Sequence, residues 1–372
     1  MTESKKPPFR ADHVGSLLRP QALLEARDRR HRGEIPAEEL RAAEDEAIRD
    51  AVRLQENVGL RGITDGEFRR TYFHVDFLEK IEGVTVSEGK LARFHSKTEE
   101  FEFAPPSIGV GGKLERAQGI QTDDFDFLAK TTSRTPKVCV PSPTMTHFRV
   151  GRAGISREAY PDIEAFYGDL ARVYREEIAD LADLGCRYIQ LDDTNLAYLC
   201  DPAMRERTEA IGEDPDALPH TYARLINDSI RDRPADMAAC IHLCRGNFQS
   251  AWVAEGGYEP VAEALFNEID VDGFFLEYDT ERAGDFSPLR HVPNGKMVVL
   301  GLVTTKEPEL EPADDLKRRI DEAATYVPLE WLAVSPQCGF ASTVHGNRVT
   351  VDDEIAKLAR VVEVAEDVWG AV

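Results

Sequence analysis

The 372-residue sequence predicts an α/β fold, a single (β/α)8 TIM barrel spanning residues 1–372, on three observations. Eight short β-type runs recur along the chain, helical stretches lie between most of them, and nearly every run closes on polar residues. Alternation of this kind is the pattern of a barrel with an inner parallel sheet and an outer ring of helices.

The runs are 9–16 (FRADHVGS), 61–68 (RGITDGEF), 137–143 (KVCVPSP), 186–194 (CRYIQLDDT), 237–244 (MAACIHLC), 272–279 (DGFFLEYD), 296–303 (KMVVLGLV) and 330–338 (EWLAVSPQC). Apolar runs of this length, rich in Val and Ile, suit strands buried on both faces. Between them, 38–58 carries Leu40, Ala43, Ala47, Ile48, Ala51 and Leu54 at helical spacing and stops at Gly59. Residues 161–184 open on Pro161 and end before Gly185, the usual helix asymmetry. Residues 84–130 break the alternation, and EEFEFAPPSIGVGGKLE (99–115) reads as a β-hairpin inserted after the second strand. A doubly wound open sheet is the alternative, but the glycine-rich dinucleotide fingerprint it would carry is absent.

A net charge of −23 argues against nucleic acid and anionic membrane surfaces as partners. No apolar run approaches the roughly 18–20 residues of a membrane span, and the start, MTESKKPPFRADHVGS, has no apolar signal core, so a cytoplasmic location is expected. Six cysteines (139, 186, 200, 240, 244 and 338) in such a chain are not a disulfide framework. They are either buried as small hydrophobes or engaged in metal or catalytic chemistry.

Barrel enzymes place their chemistry at the C-terminal ends of the strands. The runs end on His13 and Ser16, Asp65 and Glu67, Ser142 and Thr144, Asp192 and Asp193, His242 and Cys244, Glu277 and Asp279, and Cys338. A structural core has no need of such a rim. Residues two apart on a strand point to the same side, so His242 and Cys244 face one way. Alone, that spacing is weak evidence for a metal. With Glu277 and Cys338 at the ends of the sixth and eighth runs, the set becomes one His, two Cys and one Glu, donors that suit tetrahedral Zn2+. Zinc with two thiolates and a carboxylate is electron-rich and ill suited to making hydroxide; holding a substrate thiol as thiolate is its natural chemistry. Glu277, the hardest donor, is the ligand expected to yield to an arriving sulfur.

The segments DHVGSLLRP, ITDGEF, YIQLDDT, HLC, FFLEYD and SPQCGF resemble the catalytic half of cobalamin-independent methionine synthase, and more closely the short single-barrel bacterial proteins of that superfamily, from about residue 9 onward. The resemblance implies that His242, Cys244, Glu277 and Cys338 bind zinc, that Ser16 holds the carboxylate of an amino-acid substrate, and that Glu67 and Asp192 hold its ammonium group as the catalytic positioning pair. The alternative for these two acids is a structural ion pair with Arg69 or Arg187. The resemblance further implies methyl transfer to homocysteine, giving methionine, from a folate, a small methyl donor or a methyl-corrinoid protein. The sequence departs from the full-length synthase in three respects. It has no counterpart of the extra N-terminal barrel that helps bind polyglutamyl folate. The loop 301–311 (GLVTTKEPELE) has no histidine to assist the departing folate, and Phe148 falls near the tryptophan expected to stack on the pterin. Two alternatives stand beside homocysteine methylation: addition of coenzyme M to an epoxide by the same zinc-thiol chemistry, and a structural zinc protein.

Overall fold

A computed structural model describes residues 6–89, 91–96 and 100–372 of the chain. In chain order the elements are α1 (Gln21–His31), α2 (Ala37–Val58), β1 (Gly62–Ile63), α3 (Val75–Leu78), β2 (Glu82–Ser87), β3 (Ala92–His95), β4 (Glu100–Phe103), β5 (Ser107–Glu115), α4 (Thr122–Thr131), β6 (Thr135–Pro136) and β7 (Val138–Pro141). There follow α5 (Ile163–Asp183), β8 (Tyr188–Asp193), α6 (Asn195–Tyr198), α7 (Pro202–Ala210), α8 (Leu218–Ile230), β9 (Ala238–Leu243), β10 (Gly273–Glu277), β11 (Met297–Val303), α9 (Ala313–Ala323), β12 (Leu332–Pro336) and α10 (Val351–Trp369).

Strands β7 to β12 form a six-stranded sheet in sequence order, every pairing parallel. The period of two divides their side chains cleanly. Ile189, Leu191, Ile241, Leu243, Phe274, Leu276, Val298 and Leu300 pack in the large core shared with the helices. The opposite face starts apolar, with Tyr188, Cys240, Phe275, Met297, Val299 and Ala333 clustered with Phe9 and Val14. Two and four residues further along the same face stand Gln190 and Asp192, His242 and Cys244, and Glu277. One face of one sheet thus passes from apolar to polar along the strand direction.

The first two runs form less strand than their composition suggests. Run 9–16 contributes one parallel bridge, Ala11 to Val334, and run 61–68 only β1, which pairs in parallel with β6. Side chains occupy the backbone groups that a ladder would use. Asp12 accepts from the amides of Phe9 (3.1 Å) and His13 (2.8 Å), and Gln55 of α2 bonds both backbone groups of Thr64 at 2.9 Å. Nor does an α-helix follow every strand. Among the described residues, the β10–β11 connection holds only short 3-10 turns, and the β9–β10 connection one 3-10 turn and a π-turn. Pro260, Pro288, Pro293, Gly256, Gly257 and Gly284 break helical continuity there.

The long helices obey their local signals. Gly59 ends α2 at φ 106, and Asp162 caps α5 by accepting from the Glu164 amide at 3.1 Å. Thr350 and Asp353 form a reciprocal capping box for α10. Between α3 and α4, β2 pairs antiparallel with β5, and β3 with β4. The β3–β4 pair is tied across the sheet ends by reciprocal backbone bonds between His95 and Trp252, both 2.8 Å. Among the described residues no helix is long and apolar enough to cross a membrane.

Run 9–16 is fixed by a buried ion pair. Lys137 Nζ donates to Asp12 Oδ1 at 3.1 Å and to the His13 carbonyl at 2.5 Å, lying over the rings of Tyr188 and Phe275. Tyr188 Oη completes the shell with a 2.7 Å bond to Asp12 Oδ2. Removing one partner of a buried pair strands the other charge. Lys137→Met should therefore lower the unfolding free energy by about 3–5 kcal/mol in urea titrations, and the double variant Asp12→Leu/Lys137→Met should lose less than Lys137→Met alone.

Candidate metal centre and the acidic pocket beside it

His242 lies on β9, Cys244 one residue beyond its end, Glu277 at the end of β10, and Cys338 two residues past β12. One ligand atom from each of these four residues lies within 4.8 Å of the others, and all four residues are buried. His242 Nδ1 faces the Phe275 carbonyl at 3.3 Å, while Nε2 has no partner. Glu277 Oε1 is likewise buried and without a partner. Orphaned buried acceptors of this kind carry a desolvation cost that a cation in their midst would relieve. The two sulfurs lie 3.3 Å apart. A hydrogen bond from Cys244 holds Cys338 well below the ordinary thiol range, aided by His242, and the same bond with burial pushes Cys244 up. Two thiols, an imidazole nitrogen and a carboxylate oxygen, two of them unpaired, fit zinc.

Positive charge is packed behind this cluster. Glu277 Oε2 lies 3.2 Å from Arg282 and 3.8 Å from Arg245, whose guanidinium is fully buried over the Tyr258 ring. Arg282 also binds Asp279 at 2.9 Å and stacks on Trp252. Lys306, in the loop after β11, donates to Asn247 Oδ1 at 3.0 Å, and Asn247 Nδ2 donates to the Gly339 carbonyl at 2.8 Å. The loops that carry the two cysteines are thus joined through Asn247, whose side chain Lys306 holds.

The second cluster is Glu67, Cys139 and Asp192, also within 4.8 Å of one another. Register sets it against the first, because Asp192 and His242 are direct partners across β8 and β9. Glu67 sits at φ 59, a strained backbone for a non-glycine residue, and Arg19 anchors it with a 2.7 Å bond to its carbonyl. Burial, with Asp192 and Asp65 nearby, raises Glu67 to about 7 against the pull of Arg70. Burial likewise raises Asp192 to about 6, and Gln190 donates to it at 2.7 Å. The ion-pair partner of Glu67 is Arg70 at 3.5 Å; Arg69 binds Asp45 and Asp124, and Arg187 binds Asp236, so neither arginine named from the sequence pairs with these acids. Two acids against one arginine leave the pocket in want of a cation.

Ser16 closes the floor, with the Ala341 amide donating to its Oγ at 3.3 Å. Two glycines make the approach possible. A Cβ at Gly339 would lie 1.9 Å from Ser16 Oγ, and one at Gly15 (φ 142) would lie 2.6 Å from Cys139 Sγ. Ser16, Glu67, Asp192, His242, Cys244 and Cys338 line a single cavity of about 70 Å³. Phe148 does not line it; it packs behind Tyr198, ring centres 6.1 Å apart, and Tyr198 is the wall. Other rim residues are structural: Asp193 accepts from Thr144 Oγ1 (2.5 Å) and the Leu196 amide (2.8 Å), and Asp65 accepts from the Glu67 amide (2.9 Å).

Sequence reasoning missed the roof. Phe94 and Phe103 on β3 and β4 line the cavity with Phe248, and Phe103 stacks on Phe248 with ring centres 4.1 Å apart. The alternating aromatics of ARFH and EFEF are the available signal; EFEF falls in the 99–115 stretch expected as one hairpin, but β4 pairs with β3 and β5 with β2.

Residues 9–367 match the family described as the catalytic domain of cobalamin-independent synthase. The uncharacterised Bacillus subtilis protein YxjH is 45% identical over 372 residues, covering 99% of this chain and 96% of its own. A methionine synthase from Pyrococcus abyssi is 26% identical over 88% of this chain and 84% of its own. Among solved structures, a candidate vitamin-B12-independent methionine synthase from Listeria monocytogenes superposes with a TM-score of 0.78 at 39% identity, over 98% of this chain and 99% of that one. Fold, site and sequence agree that the chain belongs to the cobalamin-independent methionine synthase family, in its catalytic domain.

Proposed function

We propose that this protein is a zinc-dependent cytoplasmic methyltransferase that converts homocysteine to methionine. The observation that carries the reading is the junction of the two clusters: a zinc-type donor set and an unbalanced acid pair meet at the Asp192–His242 register partners, in one cavity. An amino-acid thiol has a group for each. We further propose that residues 1–372 form one (β/α)8 barrel with the β2–β5 segment inserted after its second strand. The six-stranded sheet, the Ala11–Val334 bridge and the β1–β6 pairing support it. Six cysteines without a disulfide suit a reducing compartment.

Zinc held by His242, Cys244, Glu277 and Cys338 would supply the Lewis acidity that keeps a substrate thiol deprotonated at neutral pH. Glu67 and Asp192 grip the ammonium group, and Ser16 meets the carboxylate. These three contacts fix the amino acid so that its sulfur points toward the metal ligands. Arg245 and Arg282 bind the outer oxygen of Glu277, and would hold its charge if a substrate sulfur took its place among the metal ligands. The sulfur then forms its bond to carbon as the methyl group leaves the donor, while the aromatic roof excludes water. A sulfonate, as in coenzyme M, would gain nothing from the acid pair.

Four measurements test this. Protein isolated without chelator should contain one zinc per chain, and Cys244→Ser or Cys338→Ser should lose most of it. In Co2+-substituted protein homocysteine should shift the visible spectrum and coenzyme M should not; zinc retained by both variants or an unresponsive spectrum would reject the reading. Asp192→Asn should keep its metal yet bind homocysteine roughly 10- to 150-fold more weakly, the loss of one charge-assisted bond of about 1.5–3 kcal/mol. A thiol without an amino group should be unaffected by that change.

The fourth measurement uses pH. Glu67 and Asp192 titrate near 7 and 6, and only their ionised forms attract an ammonium group. Affinity for methionine, which has the amine but no titrating thiol, should be full above pH 7 and fall as pH drops through 7 to 6, at about tenfold per unit for each proton taken up. A flat calorimetric profile between pH 5.5 and 8 would show that the acids do not meet the amine.

A further inference from the structure

The turn that follows Cys244 is strained. Gln249 (φ 48) and Ser250 (φ 69) are consecutive non-glycine residues in the left-handed region, three residues after Gly246 at φ 90. Backbone of this kind persists only where its surroundings impose it, and here the surroundings are two side chains from elsewhere in the chain. Asn347 Oδ1 accepts from the Ser250 amide at 3.0 Å, and its Nδ2 donates to the Thr305 carbonyl at 2.9 Å. Lys306 reaches both ends of the strained pair: its Nζ donates to Asn247 Oδ1 at 3.0 Å and to the Ala251 carbonyl at 3.5 Å.

The same loop grips the other cysteine. The Thr305 amide donates to Gln337 Oε1 at 2.6 Å, and its hydroxyl donates to the Gly339 carbonyl at 3.2 Å, so Cys338 is held from both sides. Asn247 Nδ2 donates to that Gly339 carbonyl as well, at 2.8 Å. Residues 305 and 306 stand outside the donor set, yet every one of these bonds fixes a loop that belongs to it.

Pinning a turn does not by itself require an ammonium group. Lys306 is buried, and both its acceptors are neutral oxygens, which repay little of the cost of taking a charge out of water. The compensating charge comes from the donor set: burial and Arg282 push Lys306 down, while Glu277, Cys338 and Cys244 pull it back up. Two thiolates and a carboxylate outweigh a divalent ion by one charge, so the attraction outlasts metal loading.

We propose that Lys306 is a positioning residue of the metal centre: the charge of the donor set seats its ammonium group, and from that seat it pins the turn 247–251 so that Cys244 stays beside Cys338. The proposal rests on the metal reading of His242, Cys244, Glu277 and Cys338.

Zinc affinity, measured by competition with a chromophoric chelator, is the first readout. Lys306→Met keeps the length of the side chain and loses the charge; it should weaken zinc binding about 10- to 100-fold, the usual effect of removing a group that orients metal ligands. Asn247→Ala should weaken it similarly, and the double variant should be no worse than Lys306→Met, because the two residues act as one unit. Lys306→Arg keeps the charge on a wider head and should recover part of the affinity. Hydrogen exchange followed by mass spectrometry should show faster exchange across residues 247–254 in Lys306→Met, with peptides of β8 and β10 unchanged. Lys137→Met is the comparison for a buried lysine that only stabilises the fold: it should lower stability and leave zinc affinity and the exchange of the turn as in the parent. Zinc affinity unchanged in Lys306→Met overturns the proposal, as does a fall no larger than that in Lys137→Met, or losses that add in the double variant. A parent protein that binds no zinc rejects the metal reading itself and this proposal with it, whereas a zinc-binding parent matched by Lys306→Met rejects the positioning role alone.

Discussion

Buried negative charge is the constraint around which this molecule is organised. Glu67, Asp192, Cys244, Glu277, Asp279 and Cys338 all lie in the interior at one end of the sheet. Each ionised member would cost several kcal/mol to desolvate alone. The protein therefore draws its own cations inward: Arg70 to Glu67, Arg245 and Arg282 to Glu277, and Lys306 to the loop that follows Cys244. The compensation is incomplete by design of the sequence, since both clusters keep orphaned or unbalanced acceptors. On the function proposed above, a metal and an ammonium group would complete the charge balance.

The sheet makes this concentration possible. Parallel strands in register carry their C-terminal ends to one level, and the period of two selects which residues face inward. A slip of one residue in β9 would exchange His242 for Leu243 and dismantle the metal set. The apolar cluster of Tyr188, Phe275 and Val299 beneath the polar zone opposes such a slip, because it would expose the same strands to a mismatched core.

What could be read in the sequence follows from how local its cause is. Six of the eight runs pair as strands of one sheet because their apolar alternation is itself the cause of burial on both faces. His242, Cys244, Glu277 and Cys338 could be read together because strand ends bring them together whatever the loops do. The first two runs mislead, since the polar side chains of Asp12 and Gln55, one to nine residues away, take over backbone groups that an apolar pattern assigns to a ladder. The choice of Arg70 over Arg69 depends on the strained turn at Glu67, and proline and glycine replace helices in two connections. Phe148 is matched by motif, yet one residue of offset in the turn between two 3-10 segments puts Arg149 at the cavity and Phe148 behind Tyr198. The roof was illegible because its meaning comes from the His95–Trp252 bridge, between segments more than 150 positions apart.

That bridge divides the catalytic chamber into two inheritances. The floor is built of strand ends and locked by register, close glycines and paired charge, so almost any change there damages the fold as well as the chemistry. The roof hangs from two backbone hydrogen bonds and a few ring contacts, and its side chains answer to nothing beneath the sheet. On the function proposed above, lineages sharing this scaffold would be free to re-cut the β3–β4 roof for a new methyl source, and divergence among relatives should concentrate between residues 92 and 103 while the strand ends stay still.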